Sequence, residues 1–388
     1  MQEDSGTPRF EVADIFNKAF ASFCAKHGCS TNQFKVANAI MACRTEKLGA
    51  HKFICDKCGH EIIDYNSCRN RHCPKCQGSK RWKWATQRIK ELLPIPYYHV
   101  VFTMPHSINT IALFNKKIIY NLFFDITANA LNTFANNKKF LGAKIGFVGI
   151  LHTWGQNLAT HIHIHYIITG GGITHDKKMW KHLPYRKDFI FPVKAMSRYI
   201  RKRFTEWLMQ YYNQGELVIP EALAELNKPF EFMKFNAKLA AEKWVCYAKK
   251  PFAQPDLVLK YVARYTHRVA IANQRIIKLD DNTVTFKYKQ YKNGDVEYKV
   301  MTLSHHEFIR RFLNHVLPAG FRKIRHFGFF CNGVRKQMID LAKKLLDVND
   351  AENDKPNTFI EEFRKCPKCG KGILTFCDFI DILNLAPG

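Results

Sequence analysis

The chain has 388 residues, 46% of them hydrophobic, which is enough for two or three domains with a buried core and excludes a disordered chain. Lys and Arg number 60 against 33 acidic residues, and the resulting net charge of +27 is spread along the sequence, which points to a polyanionic partner, nucleic acid first. No apolar run reaches the length of a membrane span, and the N-terminus has neither a basic n-region nor an apolar stretch, so neither membrane insertion nor secretion is expected.

Residues from about 10 to 42 read as helical, with Val12, Ile15, Phe16, Ala19, Phe20 and Phe23 at helix spacing. Residues 43–80 are rich in Cys, Gly and Asn and look like a small metal-held module. Cys55-x2-Cys58 and Cys73-x2-Cys76 are separated by 14 residues, a zinc-ribbon spacing, and four thiolates would complete a closed structural Zn²⁺ site. Cys68 and His72 lie between the pairs, with His51 and Cys43 just before them, as further or alternative ligands. In a long chain of this kind, 13 cysteines with several in CxxC pairs favour metal ligation over disulfides and hence a reducing cytoplasm. Arg69, Arg71, Lys75, Lys80, Arg81 and Lys83 would meet DNA phosphates, and Trp82 and Trp84 either stack on unpaired bases or pack. A helix follows and stops before Pro94.

Tyr98-His-Val-Val-Phe-Thr reads as a strand, residues 107–136 as helical, and the stretches beginning at Lys144 and His161 as two more strands, closed by Gly170-Gly-Gly. A strand repeats every two residues, so His161, His163 and His165 share one face while Ile162, Ile164 and Tyr166 share the other. Neighbouring imidazoles at i and i+2 can hold one metal ion. Further helices are expected at about 192–213 and 231–249.

A helix starting near Asp256 carries Tyr261 and Tyr265 at i and i+4, on one face, with Arg264 and Arg268 paired on an adjacent one. Two phenols beside a divalent cation suit two successive attacks on phosphodiesters, each leaving a 5′-phosphotyrosine and a free 3′-hydroxyl. The energy stays in the covalent link, and no G-x-x-x-x-G-K-[ST] phosphate loop is present. Three β segments (275–280, 283–290, 295–303) follow, with Asn293-Gly294 as the hairpin turn of the last two. Ser304-His-His-Glu307 has the capping-box pattern, a last helix is expected around 334–347, and a polar stretch precedes Cys366-Pro-Lys-Cys369, half a zinc site to which Cys377 or Cys331 would contribute.

The order of these motifs resembles the HUH-type rolling-circle transposases of the insertion-sequence-ninety-one family. The resemblance rests on Tyr65-Asn-Ser-Cys-Arg-Asn-Arg-His-Cys-Pro-Lys-Cys-Gln77, Tyr98-His-Val-Val-Phe-Thr-Met-Pro-His106, Leu151-His-Thr-Trp-Gly-Gln156 with His163-Ile-His165 and Gly170-Gly-Gly172, and Tyr261-Val-Ala-Arg-Tyr265-Thr-His-Arg268. It covers residues 35 to 335, with Ile162 where the family usually has Pro. It implies an α+β HUH endonuclease fold, an antiparallel sheet flanked by helices, preceded by a small helical zinc-ribbon domain. The domains would be residues 1–92 (helical and zinc-binding), 93–333 (catalytic) and 334–388 (a C-terminal helix and tail). It further implies Mg²⁺ or Mn²⁺ at His163 and His165, with His161, Gln156 or His99 as third ligand. The activity would be nicking and joining of single-stranded ends of a mobile element, by a bacterial-type, nucleoid-associated protein for which a homo-oligomer is a candidate assembly. The rival readings are a non-catalytic zinc-ribbon DNA-binding protein and a His₃ zinc hydrolase whose product carries a free 5′ end.

Overall fold

A computed structural model of the chain describes residues 8–76, 91–183, 191–252, 268–292, 295–348 and 365–380. The strands are β1 (Ala50–Cys55), β2 (Glu61–Tyr65), β3 (Tyr97–Thr103), β4 (Gly146–Trp154), β5 (Thr160–Thr169), β6 (Gly171–Ile173), β7 (Trp180–His182), β8 (Val245–Phe252), β9 (Ile276–Leu279), β10 (Thr283–Lys292), β11 (Asp295–Ser304), β12 (Ile324–Gly328) and β13 (Leu374–Ile380). The chain divides into two compact units. One comprises Met1–Trp82, His267–Val316 and Asp350–Gly388, the other Lys83–Thr266 and Leu317–Asn349. Segment 267–316, expected within the catalytic domain, and the tail therefore cluster with the N-terminal module, while residues 334–349 stay with the central unit.

In the first unit the expected helix over residues 10–42 is two helices, Val12–His27 and Thr31–Met41. The break falls at Gly28, whose φ of +72° suits glycine, and Ser30 restarts the helix with a reciprocal capping box to Gln33. Cys24 and Cys29 form a disulfide across that break. Phe16 packs edge-on against Phe312 of the helix His305–Asn314, with ring centroids 5.4 Å apart. The strands β9, β10 and β11 form an antiparallel meander, and the Lys292↔Asp295 pairing leaves the two residues 293 and 294, outside the described set, as its connection. Ser304 accepts the Glu307 N–H as expected, but the Glu307 carboxylate turns to Arg310 and Arg311, so only half of the capping box forms.

The second unit is built on a five-stranded antiparallel sheet of order β12-β4-β5-β3-β8. Ile162, Ile164, Tyr166 and Ile168 of β5 are fully buried in one core with the helices Lys116–Asn136 and Val193–Asn213. Burial of each such isoleucine contributes about 2 kcal/mol, which pins the register, because a one-residue slip would expose all of them. Tyr166 lies across Gly149 of β4, where a Cβ would sit 2.6 Å from its ring, and shares a 2.8 Å hydroxyl bond with Thr127. On the reverse face Tyr97, Ile150 and Ile167 pack under the helix Arg335–Leu345 and Phe329. The helix expected over 107–136 is interrupted at Asn115, whose side chain bridges to the backbone of Val218. The helix expected over 231–249 runs only over Pro229–Ala241, and the following residues form edge strand β8. No helix among the described residues is long and apolar enough to cross a membrane.

Candidate metal centre and cysteine sites

On the reverse face of β5, alternation presents His161, His163 and His165 together, as the period of two requires. The three residues whose ligand atoms converge to within 4.8 Å of one another are His152, His163 and His165. His152 comes from β4 and pairs directly with His163 across the ladder, so the third imidazole is supplied by the neighbouring strand. Their ring centroids lie 4.8 to 5.4 Å apart. His152 and His165 are buried, and His163 is half-buried.

Two of these rings are oriented by hydrogen bonds. His163 donates from Nδ1 to the His161 carbonyl at 2.9 Å, which makes Nε2 its basic nitrogen. His165 Nδ1 lies 2.9 Å from His99 Nε2, with the two rings stacked at 9°. In the tautomer that leaves His165 Nε2 basic, His165 donates and His99 accepts, so His99, a candidate third ligand, orients a ligand instead. His161 is outside the group of three: its ring sits 4.8 Å from His163 and 5.4 Å from His106. Burial, and then the neighbouring His106, hold its basicity below that of an ordinary histidine. Gln156 lies in the turn between β4 and β5. His152 stands in the Leu151-His-Thr-Trp motif but was not among the expected ligands, because the pairing of β4 with β5 that brings it to the centre is not readable from spacing along one strand.

The donor set tests the expected ion. Among the described residues the group holds three imidazoles and no carboxylate, a set that suits a first-row transition ion better than Mg²⁺, which prefers oxygen, so Mn²⁺ is the better fit of the two ions expected.

Tyr261, Tyr265 and Arg264 lie outside the described residues, as do Lys80 and Arg81. Arg268 is described and stands in irregular backbone, not in a helix. Burial first and Arg268 second lower the Arg275 guanidinium to about 10. Arg69 adopts a left-handed backbone at φ +53°, and Arg71 is half-buried, its guanidinium pulled down by desolvation.

The cysteines group differently from the expected set. Cys55, Cys58, Cys73 and Cys76 do not converge on one point: Cys73 and Cys76 join Cys43 and Cys68, while Cys55 and Cys58 join Cys366 and Cys369. Cys43 and Cys68 are thus ligand candidates equal to the CxxC pair, whereas His72, Cys331 and Cys377 are in neither group. In the first group Cys68 and Cys76 sulfurs are 3.8 Å apart, and the Cys68 N–H points at Cys43 Sγ. Hydrogen bonding from Cys68 drives the Cys43 thiol far down, and bonding to Cys43 drives Cys73 far up, as expected of thiols crowded around one centre.

Residues 146–338 match the family described as "Putative transposase", and residues 15–104 match the "Transposase zinc-binding domain". The chain is 43% identical over 383 residues to "Putative transposase y4qJ" of Sinorhizobium fredii (strain NBRC 101917 / NGR234), with 96% of each chain covered. It is 26% identical over 350 residues to "Transposase for insertion sequence element IS801" of Pseudomonas savastanoi pv. phaseolicola, covering 88% of this chain and 81% of that one. No solved structure matches it.

Proposed function

Because the chain belongs to the insertion-sequence-ninety-one family of transposases, with that family's zinc-binding domain, we propose that it nicks and rejoins single-stranded DNA ends through a 5′-phosphotyrosine at Tyr261 and Tyr265. The observation that carries this reading is the convergence of His152, His163 and His165 on one face of a sheet whose other face is solid core. A divalent ion held there would polarise the scissile phosphate and offset the charge that builds on it. The phenolic oxygen of one tyrosine attacks phosphorus, the bond to the 3′ oxygen breaks, and that oxygen leaves as a hydroxyl. The resulting phosphodiester is attacked in turn by a 3′-hydroxyl, which restores the phenol and joins the strands without a nucleotide cofactor. The second tyrosine serves the second strand end. The buried His99 and the His161 carbonyl hold the ligand rings in place throughout. Arg268 and the basic residues Arg69 and Arg71 supply charge for the DNA backbone.

A His₃ zinc hydrolase is the second reading, favoured by the all-imidazole donor set. The two differ in product. Incubation of the protein and Mn²⁺ with a labelled oligonucleotide carrying a matching element end should give a protein-linked 5′ end and a free 3′-hydroxyl, both lost in EDTA and in His163→Ala. A free 5′ end with no protein-linked species would replace this reading with the hydrolase.

A further inference from the structure

We propose that Cys55, Cys58, Cys366 and Cys369 form a second tetrathiolate Zn²⁺ site, which fastens the C-terminal segment to the N-terminal sheet. The zinc-binding match ends at residue 104, so it accounts for only half of these ligands. Cys55-Asp-Lys-Cys58-Gly59 and Cys366-Pro-Lys-Cys369-Gly370 are two copies of one turn. In each, a glycine at positive φ, +64° in Gly59 and +66° in Gly370, returns its N–H to the carbonyl of the first cysteine, at 3.1 and 2.9 Å. The turns face each other at the end of the β1–β13 ladder, which runs from Ala50↔Ile380 to Cys55↔Leu374.

The sulfur spacing identifies the chemistry. Cys55 and Cys369 sulfurs are 3.8 Å apart and those of Cys58 and Cys366 3.7 Å, across sequence separations of 314 and 308. An ion about 2.3 Å from each of four tetrahedral sulfurs sets neighbouring sulfurs about 3.8 Å apart, whereas a disulfide needs about 2.0 Å. The backbone N–H of Lys57 points at Cys55 Sγ at 3.4 Å and that of Gly372 at Cys369 Sγ at 3.3 Å, donors that offset thiolate charge. Any side chain at Gly372 would collide with Cys55 Sγ, so this close approach requires glycine. All-thiolate ligation excludes Mg²⁺ and leaves no open position, so the site is structural and independent of the histidine centre.

The test is Co²⁺ loading of the metal-free full chain, read by thiolate-to-cobalt charge transfer, to which imidazole ligands contribute nothing. The full chain should saturate with two equivalents. Cys366→Ser/Cys369→Ser and Cys55→Ser/Cys58→Ser should each bind one, and the four changes together still one, because both pairs serve a single ion. Adding Cys73→Ser/Cys76→Ser should abolish the signal. Saturation of the full chain at one equivalent, or two retained by the tail variant, overturns the proposal. The unaltered zinc-loaded protein gives a readout that does not depend on variant folding. Alkylation mapped by mass spectrometry should find all four cysteines protected, and a chelator should expose them at a single rate. Alkylation of Cys366 and Cys369 while Cys55 and Cys58 stay protected contradicts it.

Discussion

The bond from His163 Nδ1 to the His161 carbonyl and the 2.9 Å contact of His165 with His99 fix two ring planes independently of any cation. His161 contributes to the first through its backbone, so its side chain is the most dispensable of the three on β5. His152→Ala should weaken Mn²⁺ binding at least ~10-fold, His99→Leu by about 10- to 100-fold, and His161→Ala by less than about 3-fold, as measured by calorimetric titration. Equal losses for His152 and His161 would return the third-ligand role to β5. At Gly149 the constraint is steric. An added methyl meets Tyr166 at 2.6 Å and Phe124 at 3.1 Å, and the Thr127 bond keeps the Tyr166 ring from moving aside. Gly149→Ala should therefore cost about 1–3 kcal/mol in denaturant unfolding. The histidine pair on β5 was legible because period-two alternation is local. His152 was not, since it reaches the centre through strand pairing, and spacing along one strand carries no information about its neighbour.

Among the elements, the helix His305–Asn314 offers a sharp electrostatic test. Glu307 takes a two-pronged bond from Arg310 and a 2.6 Å bond from Arg311, and chiefly the Arg310 bond holds its carboxyl down to about 2. A carboxyl depressed when folded stabilises above its unfolded value of about 4.3, and that contribution is lost as pH falls from there towards 2. The group is partly exposed, so Glu307→Gln should cost less than about 1 kcal/mol at pH 7, and the gap in thermal stability should close on acidification. A gap that widens at low pH would contradict the assignment. Elements with long, regular patterns, such as β5, the meander and the helix Val193–Asn213, fell where the sequence placed them. Strand β8 did not: Val245-Cys-Tyr-Ala is a short apolar run that periodicity cannot assign, and the helix before it ends at Ala241, where Glu242 turns extended.

At the scale of the molecule, the cysteines show how far spacing reaches. Each CxxC pair announces a knuckle, but which knuckles share an ion depends on strands brought together from both ends of the chain. The same return of the chain groups residues 267–316 with the N-terminal unit. Stripping zinc with a thiol-competitive chelator should melt the sheet β13-β1-β2 and leave the five-stranded sheet folded, which hydrogen exchange followed by mass spectrometry would resolve. Protection lost evenly across both units would contradict independent metal-held folding of the first. The nucleophile is the part of the reaction that can be trapped directly. Protein incubated with Mn²⁺ and an element-end oligonucleotide, then digested and mapped by tandem mass spectrometry, should carry the nucleotide on the peptide containing Tyr261 and Tyr265. The adduct should shift to the remaining phenol in each single Phe variant and vanish in Tyr261→Phe/Tyr265→Phe. An adduct on any other residue, or one that persists in the double variant, would contradict the account.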